Sequence, residues 1–499
     1  MMCFIRRLRF VFMPLVLILA SFVLSPRASA ANLESSIIKI YSYIQRPDYD
    51  SPWTTKQSER LTHMGLIVGD GKVLVSAYAA RSAKHLEAEK IGESKRFPLK
   101  LIRMDPVANL ALFEFSEGKP EGLEDITFGE DLEIGANCTV YQAIEGESLV
   151  ARALRLREVQ MQAGVLTSYQ MPQYVFEIRK PGYGWFEPMI RNGKLVGSAI
   201  SQSGSNVFAL PVSLIKRFVK ESLSDNYRGF PELGISFSNL LSPALRKFGK
   251  ADDYDDGVWI QDIKETSAFA KVLKKGDILY ELNGIPVSAR GSYEHPLWGR
   301  ISITAKLSEI YAGDKVELKV LRQGRDEILT ENIGPYNPDL ERIPSVIDEP
   351  PKYMIFGGLV IQELTEGLMQ SWGTNWRKRA PLAYLYEDAF YSWPVRGGET
   401  KVLVLQRVLP LDYNKGYHSM EDSFVTAVNG IPVTNLTEMS AALDRPEKGK
   451  EQFARFQLDP GHEEIILSYK GIDKIHGQLR QRYGIPKTAK FWETSKAPD

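Results

Sequence analysis

The chain has 499 residues, 62 Lys+Arg against 62 Asp+Glu, and is 43% hydrophobic and 25% charged. That is ordinary globular composition, long enough for about two to four domains with separate cores. No basic block gives the electrostatic footprint of a nucleic-acid binder. Beyond the first thirty residues the balance is slightly acidic, 58 against 62.

The chain opens on "MMCFIRRLRF", a positive stretch, followed by the apolar run "VFMPLVLILASFVL" and "SPRASA". A basic start, a short apolar run and small residues at −3 and −1 predict a secretory signal over 1–30, cut after Ala30. No later apolar stretch is long enough to span a bilayer, so the expectation is an exported protein of the periplasm or cell envelope, or a secreted one, with no integral membrane segment after signal removal. Cys3 leaves with the signal and Cys138 stays alone, read as a small buried strand residue, so no internal disulfide supports the fold.

Residues 31–226 read as many short strands. "SIIKIYSYI", "HMGLIVGDGKVLVSAYAA", "LKLIRM", "LALFEF", "CTVYQAI" and "KLVGSAI" are β-branched and aromatic runs bounded by Gly, Asp or Pro, the pattern of an antiparallel sandwich or barrel. "VSLIKRFVKESL" then places Leu214, Ile215, Phe218 and Val219 at helical spacing. Residues 229–334 form a second block, mixing strands with a helix-like stretch around "SAFAKVLKK". "PYNPDLERIPSVIDEPPKY", 335–353, holds five prolines and predicts a linker. The last block, 354–499, repeats a signature of the second: "DILYELNGIPVS" and "SFVTAVNGIPVTNL" both carry "NGIPV" after a strand, and each follows an upstream "LGI" or "GGLV".

These blocks, in this order, resemble the HtrA/Deg family, a chymotrypsin-like double β-barrel followed by PDZ domains. The segments that carry the resemblance are "GLIVGDGKVLVSAYAA", "DPVANLALFEF", "VFALPVSLIKRFV" with Phe208, Ala209, Pro211 and Lys216, and "PPKYMIFGGLVIQELTEGL" with "NGIPVTNL"; the last pair is similar to the atypical second PDZ of plant-type members. The expected fold is therefore mainly β, a double barrel with two PDZ-like α+β domains.

The family's chemistry needs a serine nucleophile, a histidine base, an aspartate that orients it, and N–H donors for the oxyanion. By this resemblance the histidine falls on Tyr78, the aspartate on Asn109, and the serine on Gly184 of "GYGWF". Tyrosine, with a reference pKa near 10, is a poor base at neutral pH. Asparagine has no charge for an imidazolium, and glycine has no nucleophile. Trp185 and Phe186 replace the loop's two glycines, and Pro188 removes a further N–H. Residues 169–197 contain no serine or cysteine. The expectation is a pseudoprotease, not an enzyme.

Two other readings stay open. One is a serine endopeptidase with a rearranged site, His85 with Ser198 or Ser201; the other is a regulatory subunit of active Deg-type paralogues. His63 reads as a strand histidine, His85 as a surface histidine on a helix-like stretch. The Tyr183, Trp185 and Phe186 cluster reads as core plugging or a ligand platform. No His/Cys/Asp/Glu spacing predicts a metal, no cofactor motif is present, and "DDYDDG" at 252–257 reads as a solvated turn.

PDZ grooves capture an extended chain end by strand addition, with a loop of N–H groups on its carboxylate. In the first module the resemblance puts that loop at Glu232, Leu233, Gly234 and Ile235, with Phe269, Val272 and Leu273 on a helix opposite. In the second it stands at Phe356, Gly357, Gly358, Leu359 and Val360, as a groove or a structural element. The expected partners are C-terminal or unfolded-protein segments and further copies of the chain in a homo-oligomer, in a role as scaffold, adaptor or chaperone-like factor in protein quality control.

Overall fold

The computed structural model describes residues 33–144, 148–346, 348–373, 375–391, 401–444, 452–459, 461 and 463–486; the signal at 1–30 lies outside them. The fold is mainly β, as expected.

Six strands, β1 (Ile37–Ile44), β2 (Glu59–Val68), β3 (Lys72–Ser76), β4 (Ala83–Lys90), β5 (Arg96–Asp105) and β6 (Leu110–Phe115), close into a barrel in the order β1-β2-β3-β6-β5-β4. Period-two burial does this: Ile38, Ile40, Ser42 and Ile44 are buried while Lys39, Tyr41 and Tyr43 between them are half-exposed. A single helical turn, α1 (Ala77–Ala80), follows β3. His85 lies on β4, not on a helix; the strand continues because residues 83–90 pair along β1.

A second sheet of seven strands runs β8-β7-β11-β12-β13-β10-β9, from β7 (Asn137–Ile144), β8 (Ser148–Arg155), β9 (Glu158–Ala163), β10 (Gln170–Glu177), β11 (Pro188–Arg191), β12 (Lys194–Ser203) and β13 (Asn206–Pro211). Cys138 is buried on β7, and burial pushes its thiol up to about 12, so it stays a protonated apolar filler. The helix α2 (Val212–Ser222) buries Leu214, Ile215, Phe218 and Val219, the stripe its spacing predicted.

The next module has a sheet ordered β14-β15-β16-β20-β21, from β14 (Ile235–Asn239), β15 (Val258–Ile263), β16 (Ile278–Leu282), β20 (Lys315–Arg322) and β21 (Arg325–Asn332), with a short β17 (Ile285–Pro286) beside β16. A six-residue helix, α3 (Pro243–Phe248), follows β14. A hairpin, β18 (Ser292–His295) with β19 (Gly299–Ser302), reaches back to the second barrel. There the Trp298 indole donates to the Leu132 carbonyl at 3.1 Å and meets the Tyr174 ring edge-on at 6.3 Å. Arg217 of α2 lies between the Phe230 and Tyr311 rings, each 4.3 Å away, and donates to the carbonyls of Ser308 and Gly229 at 2.7 Å. One apolar core therefore runs from Tyr174, Phe176 and Leu132 through Trp298 to Leu233, Phe269 and Val258.

Residues 335–353 are not a free tether. Arg342, Ile343 and Ser345 are buried; Arg342 pairs with Glu387 at 3.2 Å and Ser345 donates to Glu366. Proline supplied the punctuation, but the segment is wedged between modules because its apolar and charged side chains find partners on both.

The last sheet runs β22-β23-β24-β25-β27-β28, from β22 (Tyr353–Phe356), β23 (Leu359–Glu363), β24 (Leu403–Val408), β25 (Ser423–Val428), β27 (Phe453–Asp459) and β28 (Glu464–Ser468), with β26 (Ile431–Pro432) beside β25. The helices here are α4 (Glu366–Gln370), α5 (Leu382–Tyr391), α6 (Leu436–Leu443) and α7 (Ile472–Tyr483). The β1–β2 loop docks on this module: Tyr49 joins the cluster of Leu364, Leu368 and Tyr384, and its carbonyl accepts from Gln362 Nε2 at 2.8 Å. Gly367 makes room for it, since a Cβ there would lie 2.0 Å from the Tyr49 hydroxyl.

Candidate functional site

The structure brings the three expected site positions to one place between the barrels. Tyr78 sits on α1, Asn109 in the turn between β5 and β6, and Gly184 in the loop between β10 and β11. Asn109 is buried at positive φ, and its Oδ1 accepts from Ser76 Oγ at 3.0 Å and the Tyr78 N–H at 2.9 Å. The asparagine thus ties the α1 turn to the β5–β6 turn. The Tyr78 ring faces the Trp185 ring at 6.3 Å.

The loop spends its N–H groups on itself. Gly182 and Tyr183 donate to Gln202 Oε1 at 3.0 Å each, Gly184 and Trp185 to Glu187 Oε2 at 2.9 Å each, and Phe186 to the Ala199 carbonyl at 3.0 Å. Five consecutive donors are therefore committed inside the protein. An oxyanion hole needs its donors aimed at an incoming oxygen. Here an internal carboxylate takes that role in a backbone nest. Phe186 is fully buried at φ +72°, a strained setting for an aromatic residue, held by the core around Leu66, Met171 and Phe218. Tyr183 is buried as well, while Trp185 remains 38% exposed. Two rings of this cluster plug the core and the third faces solvent.

Glu187 and Gln202 were not singled out from sequence. The available signal was an acid directly before Pro188 in an otherwise apolar stretch. Burial, the largest influence, pushes the Glu187 carboxyl from 4.5 up to about 7, against the pull of the N–H groups it accepts. A carboxyl raised in the folded state stabilises below the unfolded pKa and loses that contribution as pH rises through the folded one. The protein should therefore lose about 3 kcal/mol between pH 4.5 and 7 through this group. Glu187→Gln keeps an acceptor for the N–H groups and removes the titration. Its urea midpoint should match the parent near pH 5 and exceed it at pH 8; equal offsets at both pH values would refute the assignment.

The other hydroxyls and imidazoles lie elsewhere. Ser198 is fully buried and donates to the Glu187 carbonyl at 3.2 Å. Ser201 is on β12, its backbone against Gly184. His85 is exposed and bonded to Glu87 at 3.2 Å, and it meets neither serine. His63 does meet a serine, Ser42 Oγ at 2.8 Å, but both are buried in the first barrel and burial lowers its imidazole to about 3. A cleft of about 330 Å³ adjoins the loop, walled by Met64, Gln142, Trp185 and Glu187 with Lys39 and Arg60 at its rim. Among the described residues no group of three or more His, Cys, Asp or Glu could hold a metal ion.

In the second block, β14 is an edge strand, paired with β15 alone. Glu232 pairs with Lys264 at 2.5 Å, and Ser267 Oγ donates to the Leu233 carbonyl at 2.7 Å. Ile235 is half-buried, but Leu233, Phe269 and Leu273 belong to the module's own core. Residues 268–272 form turns rather than a helix, the Ser267 carbonyl accepting from Ala270 and the Phe269 carbonyl from Val272 and Leu273. The helical wall is instead the 3-10 helix Ile303–Glu309, whose Ile303 and Leu307 share a core with Ile235 and Phe237.

In the last block the strand that would receive a ligand, β23, already has one on its free side. β22 pairs with it antiparallel, Tyr353 opposite Gln362 through Phe356 opposite Leu359. Phe356, Leu359 and Val360 are fully buried, the Gly357 N–H donates to His476 Nε2 at 3.3 Å, and the Gly357 carbonyl accepts from Asn414. Gly358 lies against that same Asn414 side chain. The expected second groove is occupied by its own chain, because a tight turn lets the preceding strand reach it first.

A trypsin-like double barrel followed by two PDZ-like modules defines the class. The PDZ domain model matches residues 231–332, and a second PDZ model matches 343–490. The chain is 23% identical over 475 residues to "Protease Do-like 2, chloroplastic" of Arabidopsis thaliana, covering 91% of this chain and 75% of that one. It is 28% identical over 141 residues to "Periplasmic serine endoprotease DegP" of Salmonella typhimurium, 27% of each chain. The solved structure "HtrA-type protease AlgW with decapeptide" aligns with 63% of this chain and 99% of its own, at 14% identity and TM-score 0.48. Two PDZ domains and similarity across 91% of the chain to a Do-like protease support its place in the HtrA/Deg family. Among the described residues no helix is long and apolar enough to cross a membrane.

Proposed function

We propose that this chain is an HtrA/Deg protein that binds rather than cleaves. The observation that carries the reading is the β10–β11 loop, where Glu187 and Gln202 hold the N–H groups from 182 to 185 and Gly184 offers no nucleophile. Tyr78 and Asn109 supply neither a neutral-pH base nor an acid to orient one. The double barrel then serves as scaffold. The first PDZ, with its edge strand β14 and the loop Glu232–Ile235, takes C-terminal or unfolded-protein segments by strand addition. The leader at 1–30 supports export to the envelope, and the family resemblance supports a homo-oligomer in protein quality control, alone or with active Deg-type paralogues.

The test uses the chain from Ala31. A fluorescent peptide with an apolar C-terminal residue should bind, its C-terminal amide should bind at least about tenfold more weakly, and casein should stay intact with no labelling by a fluorophosphonate. Casein cleavage abolished by Ser198→Ala or Ser201→Ala would overturn the reading for a rearranged endopeptidase. Equal binding of acid and amide would remove the PDZ part. Co-purification with an intact, triad-bearing paralogue would assign the regulatory role.

A further inference from the structure

Helix α5, Leu382–Tyr391, is amphipathic in the reverse sense. Its inward face holds fully buried Tyr384, stacked on Phe424 at 5.5 Å and edge-on to Trp372 at 5.8 Å. Its acids also turn inward: Glu387 pairs with Arg342 at 3.2 Å, and Asp388 is half-buried near Arg377. The outward face carries Leu382 at 82% exposure, Phe390 at 64%, Tyr386 at 52% and exposed Ala389. These fall at i, i+4, i+7 and i+8, one continuous stripe without a charge. A solvent-facing helix ordinarily presents its charges outward, and an apolar stripe rimmed by polar residues marks an interaction surface.

The turn that leads into this helix carries Arg377, Lys378 and Arg379, all exposed. Arg377 lies over the Trp376 ring at 4.1 Å; Lys378 and Arg379 form no ion pair among the described residues. The surface is thus an apolar stripe with three cations at one end and no exposed acid on the helix. A second copy of the same face would bring no acid to those cations. An anionic bilayer surface supplies both complements: acyl chains for Leu382 and Phe390, headgroup charge for the basic turn.

We propose that α5 and the Arg377–Arg379 turn form a peripheral membrane-docking site that seats the second PDZ module on an anionic lipid surface. Residues of α5 enter the acyl–headgroup boundary lengthwise, and no segment crosses the bilayer. The stripe is too short for strong binding alone, so attachment is reversible and salt-sensitive.

The chain from Ala31 is incubated with vesicles of 30% phosphatidylglycerol in phosphatidylcholine, at about 50 and 500 mM salt, and pelleted. Pelleting is expected with the anionic vesicles at low salt, with a loss of roughly tenfold or more on pure phosphatidylcholine, at high salt, or in an Arg377→Ser, Lys378→Ser, Arg379→Ser variant. Leu382→Ser with Phe390→Ser should abolish pelleting while leaving circular dichroism and peptide binding by the first PDZ unchanged, since both side chains are exposed. Pelleting that survives this double change overturns the proposal. So does its absence in the parent chain, whether the stripe is then found buried in a dimer that the double change dissociates or protected from exchange by residues 392–400.

Discussion

Installing at once the three residues that the resemblance assigns to these positions, Tyr78→His, Asn109→Asp and Gly184→Ser, will yield no measurable protease. The obstacle lies in the backbone. Gly184 sits at φ +105°, and a Cβ built there would lie 2.7 Å from Ser201 Cα and 3.0 Å from its C and N. A serine must therefore push β12 away or drag the loop out of its nest. Together the φ strain and the overpacking cost about 2–5 kcal/mol. Even a tolerated serine would find the neighbouring donors bonded to Glu187 and Gln202. The expected result is a urea midpoint lowered in every variant that contains Gly184→Ser, with no fluorophosphonate labelling. Casein turnover by the triple variant, or an unchanged midpoint for Gly184→Ser alone, would show that the loop rearranges freely.

Trp298→Ala should uncouple the first PDZ from the barrels. Trp298 is 6% exposed, stacks on His295 at 4.0 Å, and donates its indole N–H to Leu132. Removing a buried indole costs about 3–5 kcal/mol through lost contacts and the cavity left behind. Because one core spans β10 and the β18–β19 hairpin, parent barrel and PDZ should unfold together. The variant should show two calorimetric transitions and faster tryptic cleavage in the 224–231 connection. A single transition shifted by less than about 1 kcal/mol would mean that the Arg217 clamp between Phe230 and Tyr311 holds the junction alone.

Much of the architecture was readable from local pattern. The β-branched and aromatic runs of β1 to β3, the helical stripe of α2, and the doubled "NGIPV" after a strand each depend on residues close in the chain. The misreadings were of another kind. His85 was placed on a helix because its neighbours are good helix formers, but pairing along β1 overrides propensity. Phe269, Val272 and Leu273 have helical spacing, yet Ser267 and nearby carbonyls capture that backbone in turns. The proline-rich stretch 335–353 reads as a linker, but its Arg342 and Ser345 have partners in the module that follows it.

Composition, the apolar leader, the strand periodicities and the residues standing at 78, 109 and 184 are properties of the string itself. They determined the mainly β class, the modular order and the absence of a serine from the loop. Which groups hold that loop's N–H donors, that β22 fills its own groove, that Trp298 joins two modules into one core, and that α5 turns its acids inward were decided by tertiary contact. Each depends on atoms brought within about 3–6 Å from positions distant in sequence, and hydrogen bonding and close packing act only at that range.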